Sequence, residues 1–365
     1  MKKSTKLLCS FILIIAAVGL LYYLDNNHIK YLYAISILER SAIFAIVAVS
    51  MNLLNGFTGL FSLGQAGFMA IGAYTVSVIT IPVGIRQSVY YASGINSFIA
   101  KIELPLPLAL LLGGLFAALV AALIGIPVLR LKSDYLAIAT LGFSEIIRAL
   151  LASPQLAKIT NGSYGLNKIP KYSSIFVPFG IATICIATMV LLIRSSFGRA
   201  FLAIREDEIA AEAMGINLFK HKELSFIISS FFTGIGGGLL AVYMQSIDSS
   251  TFKIGITYDI LLIVVLGGMG SVTGSVFAAF LVTASREWLR FFDDPLTIGG
   301  FQVPLFRAGF RMVVFSVLLM IVVLFYRQGI MGTREFSWDG IFRFFVNLPK
   351  RFMKKKKAGG TANER

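Results

Sequence analysis

Long runs of apolar residues, separated by polar connections, dominate the sequence. Most of these runs approach the roughly 20 residues that an α-helix needs to cross the hydrocarbon core of a bilayer. The pattern therefore predicts an all-α polytopic membrane protein with about 9–10 membrane segments. The runs cover residues 7–24, 41–54, 66–81, 105–129, 134–151, 175–193, 224–245, 258–284 and 308–326.

The composition agrees with this pattern and excludes a soluble protein. Hydrophobic residues make up 57% of the 365 positions and charged residues 14%, with a mean hydropathy of +0.82, whereas soluble domains carry about a quarter charged residues. The net charge of +15 fits the Lys and Arg excess of cytoplasmic membrane loops better than nucleic-acid binding. The two cysteines and two histidines stand apart from one another, so we expect neither a disulfide framework nor a metal site.

The basic residues predict which helix ends face the cytoplasm. They cluster at the N-terminus, at 130–132, in 194–222 and in the C-terminal tail, and such clusters stay on the cytoplasmic side. Nine simple crossings would leave the two termini on opposite sides of the membrane. The conflict disappears if 258–284, whose middle is rich in glycine and serine, forms a re-entrant pair of half-helices. We therefore expect both termini in the cytoplasm.

Glycine interrupts two apolar stretches, one in each half of the chain. Paired broken segments of this kind mark the transport path in many transporters. Close helix packing is the alternative for any single glycine. The expected pathway residues are Ser62, Gly64, Gln65, Gly267, Gly268 and Gly270.

Few ionisable residues lie within the apolar runs. Glu145 and Arg148 are placed to pair on one helical face, and Asp259 is placed to cap a half-helix. Carboxylates are not stacked along successive runs, as a proton- or sodium-driven carrier would need. The sequence contains no Gly-x-x-x-x-Gly-Lys-Ser/Thr loop, so the chain should not hydrolyse ATP itself.

Most of the internal charge lies in residues 194–222. Acidic residues open a short alanine-rich stretch that ends at Gly215, which is typical of a short helix stopped by positive φ. This helix is either a solvated connector or a docking helix that fits a groove on a cytoplasmic partner. In the docking interpretation, Ala211 faces the partner. The candidate coupling residues are Arg205, Glu206, Asp207, Glu208, Ala211, Glu212 and Gly215.

Ordered motifs run from about residue 40 to residue 335. They include Asn52-Leu53-Leu54-x-Gly56-x-x-Gly59, Ile71-Gly72-Ala73-Tyr74, Thr160-Asn161-Gly162-Ser163-Tyr164-Gly165-Leu166, Ala210-Ala211-Glu212-Ala213-Met214-Gly215 and Leu266-Gly267-Gly268-Met269-Gly270-Ser271. Together they resemble the LivM-type permeases of branched-chain amino-acid ABC importers. The segment before Gly215 also loosely resembles the Glu-Ala-Ala…Gly signature of the coupling loops of ABC importers. The resemblance adds Tyr74 to the expected pathway residues.

The resemblance implies a permease subunit that forms half of a translocation pore in the bacterial plasma (inner) membrane. Residues 1–335 would be the transmembrane permease domain, with its coupling loop at 194–222, and 336–365 a basic cytoplasmic tail. The implied partners are a LivH-type second permease, two cytoplasmic ABC ATPase subunits that use ATP, an extracytoplasmic substrate-binding protein and membrane lipid. This chain would bind no cofactor. The loop 152–174 would receive the binding protein through Asn161, Gly162, Tyr164 and Lys168.

Other functions stay open at this point. Permeases for urea or short-chain amides share these motifs, and substrate choice in such systems rests mainly with the binding protein. A secondary carrier and a membrane-embedded structural protein are alternatives from other classes.

Overall fold

The structure is a computed structural model of the full chain. It describes residues 3–289 apart from 92, 93, 98 and 132, and beyond 289 it describes 297, 298, 301, 302, 310, 313, 314, 316, 317, 320, 329–332 and 335. The predicted segment 308–326 lies largely outside the described residues, and the tail 336–365 lies wholly outside them.

The described chain is almost entirely helical. Its α-helices are α1 Lys3–Asn26, α2 Leu32–Asn52, α3 Gln65–Thr80, α4 Arg86–Val89, α5 Leu106–Val128, α6 Ser133–Ala152, α7 Ala157–Thr160, α8 Phe176–Arg194, α9 Ser196–Glu206, α10 Glu208–Ala213, α11 Leu218–Met244, α12 Ile254–Gly267 and α13 Val272–Trp288. A π-helix covers Leu53–Phe57, and 3₁₀ turns cover Val83–Ile85, Ile99–Lys101, Pro154–Leu156, Gly162–Tyr164 and Ser249–Phe252. Two short strands, β1 Thr297–Ile298 and β2 Phe301–Gln302, pair antiparallel.

Apolar helices of spanning length confirm an all-α polytopic membrane protein. Among the described residues, five helices are long and apolar enough to cross a membrane, or six if the bent pair Gln65–Thr80 and Val83–Val89 counts as one span. Two shorter apolar helices cover Phe11–Asn26 and Ile254–Gly267. Each predicted apolar run up to residue 284 thus contains helix, and 258–284 contains two helices.

Helix α11 lies at the centre of the bundle. It packs against α2, α3 and α5, and small residues allow the backbones to approach closely. A Cβ placed on Gly72 of α3, for example, would lie 2.6 Å from the Cα of Gly234 on α11. Close packing therefore accounts for these two glycines, as the packing alternative expects. Leucines of α5 such as Leu115 and Leu123 point out of the bundle, where lipid would cover them.

Helices α12 and α13 form an antiparallel hairpin. The guanidinium of Arg286, near the end of α13, donates to both carboxylate oxygens of Asp259, at 2.5 and 2.6 Å. The expectation that Asp259 caps a half-helix is therefore wrong. Helix α12 already begins at Ile254, and both carboxylate oxygens of Asp259 accept hydrogen bonds from Arg286. The predicted pair of Glu145 and Arg148 is confirmed, with 2.7 Å between charged atoms.

Candidate functional site

The chain leaves α2 through an irregular segment, residues 53–64, which we call the first break. It begins with the π-helix Leu53–Phe57, in which Thr58 N donates to Leu53 O at 3.2 Å. Such π-segments are frequent at functional sites. The Asn55 side chain then holds the backbone of Ser62, accepting from its N–H at 3.2 Å and donating to its carbonyl at 3.4 Å. The break ends at Gly64, the N-cap of α3.

Residues 268–271, between α12 and α13, form the second break. Gly268 and Gly270 have φ values of 113° and 95°, which residues other than glycine rarely adopt. Ser271 then starts α13 by accepting a hydrogen bond from Gly274 N at 3.1 Å. The glycines that we expected to interrupt this apolar run therefore do so.

The buried side chain of Asn52, the last residue of α2, binds the second break directly beside the start of the first break. Its amide nitrogen donates to Ser271 O at 2.9 Å and to Ser275 Oγ at 2.8 Å, and its amide oxygen accepts from Gly270 N at 2.8 Å. Gly56 must be small for this contact, because a Cβ there would overlap the Asn52 amide oxygen and lie 2.6 Å from Gly270 N. Residues more than two hundred positions apart thus form one hydrogen-bonded unit.

Sequence reasoning did not assign a role to Asn52. The available signal was a polar side chain inside the apolar run 41–54, because a buried amide needs hydrogen-bond partners. Those partners lie in the other half of the chain, where no local pattern identifies them.

Residues 329–332 and Glu335 cover the second break. Ile330 N and Met331 N donate to the last carbonyls of α12, at 2.8 and 3.2 Å. The carboxylate of Glu335 accepts from Val272 N at 2.7 Å and from Thr273 N at 3.0 Å, and so caps α13. A Cβ on Gly268 would lie 2.8 Å from Gly332 N. Packing as well as backbone conformation therefore requires glycine at 268.

Gln65 belongs to a buried polar network between α2, α3 and α11. Its side-chain oxygen accepts from Thr233 Oγ1 at 2.6 Å, and Thr233 Oγ1 lies 2.7 Å from Ser50 Oγ. Ser229 Oγ donates to Ser50 O at 2.7 Å. Buried polar groups that are hydrogen-bonded in this way fix one arrangement of the helices around them.

The other predicted pathway residues lie in packed surroundings. Ser62 is fully buried, and a Cβ on Gly64 would lie 3.2 Å from Thr140 O. The Tyr74 ring is buried beside Phe252, and within the described part of the chain its hydroxyl makes no hydrogen bond. Gly267, at the end of α12, faces Gly274 in the first turn of α13. Their role in transport remains a prediction.

The charged segment 194–222 contains two helices where we expected one. Arg205 and Glu206 end α9, and Asp207 is extended, with φ −159° and ψ 112°. The Asp207 carboxylate accepts from Ile209 N and Ala210 N at 2.9 and 3.1 Å. An aspartate that caps the next helix in this way stops the preceding one. The chain turns away after α10 at Gly215, which has the positive φ that we expected, +84°.

The outward face of α10 differs from the prediction. Ala211 is only 4% exposed and packs inside the chain, so it does not face a partner, contrary to our expectation. Ile209, in the helix, is 82% exposed, and Met214, the C-cap residue directly after it, is 84% exposed. Lys222 of α11 binds Glu208 at 2.6 Å and fixes the helix in this orientation.

A cavity of about 1040 Å³ opens between α8, α9 and α13. Its walls are mainly apolar, with Phe277 and Phe280 of α13 among them. The charged residues Arg205, Glu206 and Glu335 line the same cavity, and so does Gly270. We call residues 205–215, the predicted coupling element, the coupling segment. Of the predicted residues, the cavity thus brings together Gly270 from the second break with Arg205 and Glu206 from the coupling segment.

The loop 152–174 exposes some of the predicted docking residues and buries others. The amide of buried Asn161 donates to Val89 O at 3.1 Å and to Gly165 O at 2.7 Å, and Gly162 is buried beside it. Tyr164 is 68% exposed. Lys168 is exposed and donates to Ser88 Oγ at 3.0 Å. The first two residues therefore shape the loop, and the last two are available to a partner.

A buried carboxylate ties the same loop to α2. Glu39 is 2% exposed, and its carboxylate lies 3.8 Å from Nζ of Lys171. Burial raises the pKa of the Tyr172 hydroxyl, and the nearby Glu39 carboxylate raises it further, so this phenol stays protonated. Lys171 is thus a structural residue of the loop as well as a surface charge.

Helices of spanning length with two glycine breaks in contact are typical of membrane transporters. Comparison with known proteins agrees. Residues 33–324 match the family described as the permease component of branched-chain amino acid transport systems. The high-affinity branched-chain amino acid permease protein LivM of Salmonella typhimurium is 34% identical over 74% of this chain and 67% of its own length.

Archaeal relatives match as well. The probable LivM of Methanocaldococcus jannaschii is 25% identical over 78% of this chain and 89% of its own length, and the probable LivH of the same organism is 27% identical over 47% and 55%. No solved structure matches the chain. The chain belongs to the family of permease components of branched-chain amino acid transport systems. It is a multi-pass membrane transport subunit rather than an enzyme.

Proposed function

We propose that this chain forms one half of the pore of an ATP-driven importer for branched-chain or other hydrophobic amino acids. A LivH-type permease supplies the other half, two cytoplasmic ATPase subunits hydrolyse ATP, and an extracytoplasmic protein delivers the substrate. The 34% identity to a branched-chain amino acid permease over most of the chain supports this substrate class. The membrane is the bacterial plasma (inner) membrane, and both termini are cytoplasmic.

The proposal that an ATPase subunit docks on α10 rests on the exposed face of this helix. Ile209 and Met214 are more than four-fifths exposed. Burial of such large apolar side chains against a partner is more favourable than their exposure to water. The helix is capped by Asp207 and tied to α11 through Glu208, so it presents these side chains rigidly. Interface free energy concentrates in a few such central residues.

Replacement of these two side chains tests the docking site. Ile209→Asp and Met214→Asp place a charge in the proposed apolar groove and should release the ATPase subunits from the purified complex. Amino-acid uptake by whole cells should fall with them. Ile29→Asp is the matched control, because Ile29 is 90% exposed in the turn after α1, far from α10. If both α10 variants retain their ATPase subunits and transport normally, α10 is only a connector.

A further inference from the structure

Arg205 connects the coupling segment to the first break. Its guanidinium Nη1 donates to Gly56 O at 2.6 Å, at the end of the π-helix where backbone carbonyls lack helical partners. A hydrogen bond from a charged donor is about twice as strong as a neutral one. Arg205 therefore holds the backbone of the break rather than a side chain.

The aliphatic part of Arg205 also packs on the break. A Cβ placed on Gly59, which has φ +78°, would lie 3.2 Å from Arg205 Cγ. The arginine thus touches the first break at its π-helix and again at its left-handed turn. A shift of Arg205 would displace both points together.

The first break is in turn bound to the second. Asn52 directly precedes the π-helix, and its amide binds Gly270 N at 2.8 Å and Ser271 O at 2.9 Å. On the other side of Arg205, Glu206 alone separates it from Asp207, the cap of α10. The contacts therefore run without a gap from α10 through Arg205 and the first break to the second break.

We propose that Arg205 is the positioning residue through which movement of α10 reaches both glycine breaks. This inference rests on the proposed function, since it assumes that an ATPase subunit moves α10. When α10 shifts, the short link through Glu206 carries Arg205 with it. The guanidinium then pulls on the Gly56 carbonyl, and Asn52 carries the displacement to residues 268–271.

The test uses the complete transporter in proteoliposomes, with its second permease, ATPase subunits and binding protein. Substrate imported per ATP hydrolysed is measured for Arg205→Ala, for Arg205→Lys and for Arg199→Ala. Arg205→Ala should keep its ATPase subunits and hydrolyse ATP, but import per ATP should fall about tenfold, as expected for loss of a charged hydrogen bond. Arg205→Lys, which can still donate to the carbonyl, should recover part of the loss. Arg199 is exposed on the same helix, and its variant should behave like the parent.

A second variant keeps the inference testable if Arg205→Ala does not fold. Two glycines inserted after Glu206 leave the Arg205 contact and the α10 face in place but make the link between them flexible. Import per ATP should fall to the level of Arg205→Ala, because α10 can then move without carrying Arg205 with it. Normal coupling in this insertion variant, or in a folded Arg205→Ala variant, would overturn the inference. Loss of the ATPase subunits from Arg205→Ala would overturn it too, since Arg205 would then be a docking residue.

The docking proposal and this inference can fail separately. If Ile209→Asp and Met214→Asp retain the ATPase subunits, docking at α10 is wrong whatever Arg205 does. If these variants release the subunits and both Arg205→Ala and the insertion still couple normally, only the transmission through Arg205 is wrong.

Discussion

At the scale of single residues, the buried amide of Asn52 has the largest structural consequence. Each of its polar atoms binds a group of the hairpin formed by α12 and α13. Removing one partner from a buried hydrogen bond leaves the other unsatisfied, which costs about 1–3 kcal/mol. A small change here should therefore loosen the contact between the two halves of the chain.

We expect Asn52→Ala to lower the free energy of unfolding by about 1–3 kcal/mol, because Gly270 N and Ser271 O lose their bonds to the amide. Asn27→Ala removes an amide of the same chemistry, whose side chain donates an exposed local hydrogen bond to Tyr23 O. Its effect should stay within about 0.5 kcal/mol. Thermal unfolding of the purified protein in detergent measures both. Equal stability of the two variants would show that Asn52 does not hold the breaks together.

Motif membership alone did not separate structural residues from available ones. Asn161 and Tyr164 lie in the same motif, yet one is buried in hydrogen bonds to the backbone and the other is exposed. Ala211 in α10 and Met214, which directly follows that helix, differ in the same way. Side-chain exposure depends on which elements pack around a segment, and the sequence of the segment does not contain that information.

At the scale of elements, the loop 152–174 combines a fixed frame with an exposed face. Asn161 fixes the turn, and Lys171 is engaged by the buried Glu39. Exposed Tyr164 packs near exposed Tyr91, with 5.9 Å between ring centroids. Aromatic side chains that remain exposed are enriched at protein interfaces. We infer that Tyr164 and Lys168 are the part of the loop that meets the binding protein.

The double variant Tyr164→Ala with Lys168→Glu should weaken the stimulation of ATP hydrolysis by the loaded binding protein. The aromatic contact is lost, and the reversed charge repels a partner that fits a basic loop. Stimulation is measured in proteoliposomes at low salt, where surface charges are least screened. Lys253→Glu, at the start of α12, is the control. Unchanged stimulation in the double variant would contradict docking at this loop.

At the scale of the whole molecule, the structure joins the coupling segment and both breaks in one region. Asn52, Gly56 and Gly270 lie together, and Arg205 reaches them from α9. Helix α2 begins far from this region, because its residues Leu32–Asn52 extend about 30 Å at 1.5 Å per residue. The breaks thus lie at the end of α2 nearest the proposed ATPase.

The basic residues predict the orientation of the molecule in the membrane, and this orientation can be measured directly. Reporter fusions after residues 130, 210 and 360 should report the cytoplasm, and fusions near 90 and 165 should report the outside. The reason is the retention of Lys- and Arg-rich segments on the cytoplasmic side. An external signal at 210 would contradict both the topology and the docking of ATPase subunits at α10.

The sequence by itself determined the membrane class, the helical segments and the positions of the two breaks. Apolar length, glycine and charge act locally, so they can be read along the chain. It also predicted the Glu145 and Arg148 pair, since both residues lie on one helix.

Only the tertiary structure decided which residues meet across the fold. The exposure of Ile209, the pairing of Asp259 with Arg286 and the bonds from Asn52 to the second break all depend on neighbours distant in sequence. Periodicity and propensity describe a segment and its nearest turns. Long-range hydrogen bonds arise when helices pack and leave buried polar groups that must find partners wherever the fold brings them.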